Sequence, residues 1–211
     1  MGLKERIGRQ CRKPTGTFGK IVARKMNKSH DEVTRWGIQF LDTGRGKDLL
    51  DVGCGGGRNL RNLAEKCPDA RVVGVDHSRD MVALSRQVNM DLLNEGRIEV
   101  VEATVSRLPF EDGSFDAVTA VETYFFWPDL INDLREVMRV TRPGGMVLLV
   151  TEAYHHPDFE ERNRTWEQMS DFKTDTPEEL RGYLESAGLE DIESTKVEEN
   201  NWLTAWGRRP F

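Results

Sequence analysis

The chain has 211 residues, of which 37% are hydrophobic and 31% are charged, and its formal net charge is −6. The length suits a single domain that buries roughly 70% of its unfolded surface. The longest aliphatic run, Met146–Val150, is far shorter than the ~20 residues of a membrane span, and the N-terminal sequence lacks the apolar core of a signal peptide. We therefore expect a cytoplasmic protein with no membrane partner.

The first 28 residues predict a basic arm. They hold nine Lys and Arg residues and one acid, a balance of +8, whereas the remaining 183 residues carry −14. The arm has four apolar residues at the i, i+3, i+4 and i+8 spacing of an amphipathic helix: Phe18, Ile21, Val22 and Met26. Residues 1–28 are interpreted as a lid or as a segment packed on the acidic body, and attraction to nucleic acid is the alternative.

Short apolar runs rich in β-branched residues alternate with helical patterns after the arm. The runs predict strands at Asp48–Gly53, Arg71–Asp76, Ile98–Ala103, Phe115–Val121 and Gly145–Thr151. The stretches between them predict helices at about 57–66, 79–94 and 129–141. This alternation is typical of a parallel sheet with crossover helices.

Several polar residues are placed as helix caps. Ser78 precedes the second predicted helix, and Ser29 with Glu32 predicts a capping box before a further helix. The segment Thr176–Glu179 predicts another capping box, with Gly188 ending that helix.

The C-terminal residues predict two strands rather than another strand and helix. These are Asp191–Val197 and Trp202–Trp206, separated by the short segment Glu198–Asn201. Such a short connection predicts an antiparallel hairpin.

The first predicted strand runs into LLDVGCGGGRNL, where glycines stand at alternate positions 53, 55 and 57. Glycine permits positive φ angles and a close approach of a ligand to the backbone. The next strand ends in Asp76, 19 residues beyond Gly57, where an acid can bind the hydroxyls of a ribose. The glycine spacing is neither G-x-G-x-x-G nor a Walker loop, so a nicotinamide dehydrogenase is the disfavoured alternative.

In these motifs the sequence resembles the class I S-adenosylmethionine-dependent methyltransferases, of the small domain-11 type. The resemblance extends over about residues 45–190 and rests on Asp51–Gly57, Val75–Ser78, Leu108–Asp116, Trp127–Asp129 and Arg142–Gly145. It implies a Rossmann-like seven-stranded, mostly parallel α/β sheet with helices on both faces and a C-terminal antiparallel hairpin, over residues 29–211. It also implies S-adenosyl-L-methionine as cofactor and in-line methyl transfer to a small-molecule acceptor.

The resemblance implies a set of cofactor-binding residues: Asp51, Gly53, Gly55, Gly57, Asp76, His77, Thr104, Val105 and Glu122. The glycines let the backbone follow the methionine moiety, Asp76 takes the ribose, and His77 lies against the adenine. Thr104-Val105 stands where the family often has Asp-Ala near the adenine amino group. N-terminal helices of the family often close over the cofactor, and Met26-Asn27 with His30 resembles such a segment.

Residues that follow strands four and five are the candidates for the reaction. Glu122 is expected to face the cofactor or to act as a base, and His155 is a second candidate proton acceptor. Tyr124, Trp127 and Tyr154 are expected to contact the substrate. A solvated acid and surface histidines are the alternatives. A metal site is not expected, because four nearby candidate ligands lack a recognisable spacing: His155, His156, Asp158 and Glu160.

Two other functions stay open at this point. An RNA or protein methyltransferase is suggested by the charge of the arm, although no aromatic-studded basic surface accompanies it. A binding-only protein that keeps the cofactor pocket without turnover is the second. The acceptor and the oligomeric state are not defined by the sequence.

Overall fold

A computed structural model describes residues 8, 10–12, 14–42, 47–170 and 172–211. Its α-helices are α1 (Gly16–Ser29), α2 (Asp31–Ile38), α3 (Arg58–Lys66), α4 (Arg79–Val88), α5 (Met90–Asn94), α6 (Leu130–Val140), α7 (Glu160–Ser170) and α8 (Pro177–Ala187). Its strands are β1 (Asp48–Val52), β2 (Arg71–Asp76), β3 (Ile98–Glu102), β4 (Phe115–Val121), β5 (Thr141–Thr151), β6 (Glu190–Val197) and β7 (Trp202–Arg208).

The described residues form one sheet of seven strands in the order β3-β2-β1-β4-β5-β7-β6. Strands β1 to β5 pair in parallel, and β7 runs antiparallel to both β5 and β6. The predicted sheet and its C-terminal hairpin are therefore confirmed. The strand order reverses beside β1, and a ligand crevice is expected outside the carboxyl ends of the strands at this point.

The side chains of the central strands alternate between two hydrophobic clusters, one on each face of the sheet. In β1, Leu49 belongs to one cluster and Leu50 to the other, as the two-residue period of a strand requires. Helices α2 and α3 cover the first face with Val33, Ile38, Leu60 and Leu63. Helices α6 and α8 cover the second face with Leu134, Val137, Leu180 and Leu184. The two layers hold the carboxyl edge of the sheet in place.

Five of the predicted strands differ in their bounds, most of them by one or two residues, and the first and the fifth show the physical reasons. The first ends at Val52 rather than Gly53, because Gly53 turns away from the strand with φ 79°. The fifth begins at Thr141 rather than Gly145, because Thr141 already pairs with Phe115 before an irregularity in the register. None of the described helices is long and apolar enough to span a bilayer.

The predicted helix over 79–94 is in fact two helices, which meet at Asn89. The Asn89 side chain is fully buried, and its amide donates to the carbonyl oxygens of Gly57 and Ser85, each at 2.9 Å. Its backbone leaves the helical region with φ −113° and ψ 25°. Asn89 thus ends α4 and joins it to the glycine turn.

The caps were predicted with mixed success. The capping box of Thr176 and Glu179 and the left-handed Gly188 after α8 are confirmed. The capping box of Ser29 and Glu32 was wrong, because α1 continues through Ser29 and leaves His30 as the single residue before α2. Ser78 occupies the N-cap position of α4, but its hydroxyl donates to the Pro14 carbonyl oxygen at 2.8 Å.

The described part of the basic arm contains α1, which ends one residue beyond the predicted boundary at residue 28. Its predicted apolar face differs from the buried one. Gly19 and Ala23 are buried, whereas Ile21 is 58% exposed. Ala23 packs against Met81 and Leu84 of α4, and the backbone at Pro14 lies so close to the helix that a Cβ at Gly19 would be 2.8 Å from the Pro14 carbonyl carbon. Four of the basic residues, Lys4, Arg6, Arg9 and Lys13, lie outside the described residues.

Candidate functional site

The glycine turn leaves β1 as a tight loop held by the next strand. The backbone N–H groups of Gly53 and Cys54 donate to the Val75 carbonyl oxygen at 2.8 and 2.9 Å. Gly53, Gly55 and Gly57 have φ angles of 79°, 50° and 81°, a region that side-chain-bearing residues rarely adopt. A Cβ at Gly53 would also lie 2.6 Å from the Thr123 side chain. The alternate glycines are therefore required by the fold of the turn.

Asp76 ends β2 and holds the same turn from the side. One carboxylate oxygen accepts the Gly55 N–H at 2.9 Å, and the other accepts the Ser78 N–H at 2.8 Å. The residue is 7% exposed and lines the cavity described below. Asp76 thus fixes two adjacent loops and places a carboxylate beside the bare backbone of the glycine turn.

Asp51 is the second acid behind the turn. It is 2% exposed, and it accepts hydrogen bonds from Thr119 Oγ1 at 2.7 Å and Asn59 Nδ2 at 2.8 Å. Burial raises the pKa of Asp51 to about 6, although the two hydrogen bonds lower it in part. A cation in the cavity would favour its ionised form, because an opposite charge stabilises a carboxylate.

A cavity of about 280 Å³ opens at the carboxyl edge, where the strand order reverses. It is lined by nine residues that the sequence analysis singled out: Asp51, Gly53, Gly55, Asp76, His77, Thr104, Val105, Glu122 and Trp127. It is also lined by residues that were not assigned to a site, among them Arg12, Pro14, Thr34, Ser106 and Phe126. The α1 residues Met26 and Asn27, with His30 after the helix, close one side.

Among the described residues, three polar contacts hold the arm over this cavity in addition to the hydrogen bond from Ser78 to Pro14. The Asn27 side-chain amide donates to the Gly56 carbonyl oxygen at 3.0 Å. The Gly16 N–H donates to Asp80 Oδ2 at 2.7 Å, and Lys20 Nζ lies 3.6 Å from Asp80 Oδ1. A Cβ at Gly56 would meet the Asn27 side chain at 2.5 Å, so this glycine, which stands between the alternate positions 55 and 57, makes room for the arm.

Glu122 follows β4 with a φ angle of 56°, an uncommon conformation for a residue with a side chain. Its N–H donates to the Val150 carbonyl oxygen at 2.9 Å, and its carboxylate accepts the Glu152 N–H. Burial and the neighbouring charge of Glu152 raise the pKa of Glu122 to about 8. Glu122 therefore retains a proton at neutral pH unless a cation lies close to it.

His30 and Glu152 complete a cluster with Glu122. His30 Nε2 lies 3.1 Å from Glu152 Oε1, and each side chain is about a fifth exposed. Burial lowers the pKa of His30, but the hydrogen bond to Glu152 and the charges of both glutamates outweigh it and raise the pKa overall. One ligand-type atom from each of the three residues lies within 4.8 Å of the other two. Sequence reasoning assigned neither His30 nor Glu152 to this cluster.

Four of the predicted site residues do not line the cavity. Gly57 lies behind the turn, where a Cβ would be 2.5 Å from Asn89 Nδ2. Tyr124 and Tyr154 are each 1% exposed and pack in the hydrophobic cluster under α6 and α8. His155 is exposed, and its N–H donates to the Asp175 carbonyl oxygen at 2.8 Å.

The placement of these tyrosines has a physical reason. Tyr124 packs with Phe125 in the hydrophobic cluster, and burial together with the nearby charges of Asp175 and Glu122 raises the pKa of its phenol well above the ordinary value. Tyr154 turns inward after β5, since Asn163 of α7 donates to its carbonyl oxygen at 2.8 Å. The expectation that both contact a substrate in the cavity is therefore corrected, whereas Phe126 lines the cavity beside Trp127.

A family model described as "Methyltransferase domain" matches residues 50–149, which contain the glycine turn, Asp76 and Glu122. The chain is 30% identical over 196 residues to an uncharacterized chloroplastic methyltransferase of Arabidopsis thaliana. This alignment covers 90% of this chain and 53% of that protein. It is 35% identical over 139 residues to a fatty-acid O-methyltransferase of Mycolicibacterium smegmatis. That alignment covers 62% of this chain and 49% of the relative. The chain thus spans about half the length of these curated relatives.

A solved structure shares the fold. The phosphoethanolamine N-methyltransferase 2 of Haemonchus contortus, in complex with S-adenosyl-L-methionine, superposes with a TM-score of 0.73. The identity is 18%, and the match covers 85% of this chain and 53% of that one. At this identity the likeness concerns the architecture of the domain.

Proposed function

The chain belongs to the class I S-adenosylmethionine-dependent methyltransferase family, and from this premise we propose that it transfers a methyl group to a small-molecule acceptor. The observation that carries the proposal is the shared cavity. Asp76 and the bare backbone of Gly53 and Gly55 line one part of it, and Glu122 and His30 line another. A cofactor pocket and an acceptor pocket are therefore continuous.

The residues present fit the cofactor. S-adenosylmethionine carries a ribose, an adenine and a positively charged sulfonium. Asp76 offers a carboxylate at a strand tip, where an acid binds ribose hydroxyls in related α/β folds. Gly53 and Gly55 present a backbone without Cβ atoms, and two buried acids, Asp51 and Asp76, supply negative charge.

We assign the cofactor-binding residues within this cavity. Asp76 holds the ribose hydroxyls, and the Gly53–Gly55 backbone holds the methionine moiety. His77, Thr104 and Val105 surround the adenine. This assignment is supported by the position of the three residues in the wall of the cavity that Asp76 also lines.

The chemistry needs alignment more than it needs a special nucleophile. When bound, S-adenosylmethionine supplies the methyl group, which leaves a sulfonium sulfur that becomes a neutral thioether. Holding the acceptor in line with the methyl group lowers the activation barrier by up to about 7–11 kcal/mol in well-oriented systems. Trp127 and Phe126 wall the acceptor end, and Glu122 with His30 holds the acceptor's polar group and its proton. His155 has no role in this proposal.

The small-molecule class is supported by the enclosure of the cavity. The arm covers it through Asn27, so a folded macromolecule has little access while the arm stays in place. The relative from Mycolicibacterium smegmatis is named for a fatty-acid acceptor. We propose a cytoplasmic location and no membrane partner, in keeping with the composition. Methylation of RNA through the basic arm is the second candidate.

The proposal is tested by transfer of a labelled methyl group. The full-length chain is incubated with methyl-labelled S-adenosylmethionine and separate pools of small hydroxyl, carboxyl, amine and thiol compounds. We expect label in one of these pools and none in RNA or protein. Label in RNA would favour the second candidate, and cofactor binding without any transfer would favour a binding-only protein.

The arm is proposed to act as a lid on the cofactor. Asn27→Ala removes the hydrogen bond to Gly56, and a neutral hydrogen bond contributes about 0.5–1.5 kcal/mol. We expect S-adenosylhomocysteine to dissociate about 2- to 12-fold faster, because every 1.4 kcal/mol is tenfold. Stopped-flow fluorescence measures this rate.

The matched control is the neighbouring residue. Lys28 lies on the same helix, is exposed and does not line the cavity, so Lys28→Ala should leave the rate unchanged. Equal rates for Asn27→Ala and the unaltered chain would show that the arm does not retain the cofactor.

A further inference from the structure

Three side chains from three separate segments meet at the acceptor end of the cavity. Glu122 follows β4 and Glu152 follows β5, and these parallel neighbours bring both carboxylates to the same edge of the sheet. His30 comes from the junction of α1 and α2, which lies above that edge. One imidazole and two carboxylates therefore converge, and the side chains of His30 and Glu152 are each less than a quarter exposed.

From this cluster we infer that His30, Glu122 and Glu152 bind a divalent transition-metal ion of the zinc, manganese or iron class. Imidazole and carboxylate ligands suit these ions, and three protein ligands with open remaining positions are typical of catalytic metal sites. Ligand atoms bound to one ion at about 2.0–2.2 Å lie at most about 4.4 Å apart. The three atoms lie within 4.8 Å of one another, so small side-chain rotations suffice.

The charges around the cluster support a bound cation. Among the described contacts, Arg162 donates to the backbone carbonyl oxygen of Glu152 at 3.1 Å, and His30 meets the Glu152 carboxylate. Glu122 and Glu152 therefore share a partly enclosed site in which two ionised carboxylates would repel each other. A divalent ion that binds both carboxylates removes this repulsion.

The open coordination positions face the cavity. His30 and Glu122 both line it, next to Phe126 and Trp127. The role of the ion in the reaction rests on the proposed methyltransferase activity. There the ion selects an acceptor that offers an oxygen ligand, such as a hydroxyl. With the ion bound, the ion would hold the acceptor's polar group in place of Glu122 and His30, and a hydroxyl bound to it would lose its proton to water more readily. Its oxygen then forms the new bond to the methyl group as the sulfur–methyl bond breaks.

The test uses Co²⁺ as the probe, on tag-free full-length protein without cofactor. We expect a visible d–d absorption that saturates at one ion per chain and is displaced by Zn²⁺. His30→Ala and Glu152→Gln should each weaken Co²⁺ binding at least about 100-fold, because loss of a supporting residue alone costs 10–100-fold. Glu152→Gln keeps the size of the side chain and therefore separates ligand loss from misfolding.

His155→Ala is the matched control, because His155 is an exposed histidine on the same edge and outside the cavity. It should bind Co²⁺ as the unaltered chain does. The inference is overturned if no saturable band forms, or if the band survives both His30→Ala and Glu152→Gln. Calorimetry with S-adenosylmethionine in the presence of a chelator tests the proposed function separately.

Discussion

Gly57→Ala is expected to destabilise the protein by about 2–5 kcal/mol. Gly57 has φ 81°, and an alanine in a left-handed conformation costs about 1–2 kcal/mol. Its new Cβ would meet the Ser85 hydroxyl oxygen and the Asn89 amide, and overpacking of this kind costs about 1–3 kcal/mol more. The free energy of unfolding in urea measures the sum.

Gly96→Ala separates the two costs. Gly96 has φ 72°, and a Cβ there would meet no neighbouring atom within 4 Å. It should therefore show the backbone cost of about 1–2 kcal/mol without the packing cost. If Gly57→Ala loses no more stability than Gly96→Ala, Gly57 does not fix the turn against Asn89 as described.

Asp76→Ala is expected to weaken binding of S-adenosylmethionine by about 1.5–3 kcal/mol, the range for hydrogen bonds to a charged group. That is about 10- to 150-fold in Kd. The reason is that the carboxylate both holds Gly55 and Ser78 in place and faces the cavity. Isothermal calorimetry measures the affinity, and a thermal melt of the same sample shows that the variant is folded.

Glu102→Ala is the control for this variant. Glu102 pairs with Asp76 in the register of β2 and β3, so it is an acid at the neighbouring strand tip. Glu102 is exposed and does not line the cavity. Because it does not face the ligand and exposed charges contribute little, its loss should change the Kd for S-adenosylmethionine less than twofold. An unchanged affinity in Asp76→Ala would remove the ribose assignment.

The fold could be predicted from local patterns, because each strand and helix follows the period of its apolar residues. The glycine turn could also be predicted, since alternate glycines at the end of a strand indicate a backbone with positive φ angles. The break at Asn89 was not, because it depends on hydrogen bonds to Gly57 and Ser85. Only the tertiary fold brings these groups together.

The acceptor end was predicted in part. Glu122 was identified from its position after β4, and Glu152 has the equivalent position after β5, a signal that would have found it. Tyr154 and His155 were predicted instead, because a phenol and an imidazole are more typical of reactive sites than a carboxylate at the end of a strand. His30 joins the cluster through the packing of α1 and α2 on the sheet, and no local pattern reports that contact.

The central claim is that the glycine turn and Asp76 together hold the adenosyl part of the cofactor. A crystal structure of the chain with S-adenosylhomocysteine tests it most directly. We expect the ribose hydroxyls within hydrogen-bonding distance of Asp76, and the homocysteine chain along the backbone of Gly53 and Gly55. A ligand bound elsewhere, or a cavity that stays empty at saturating concentration, would contradict the account.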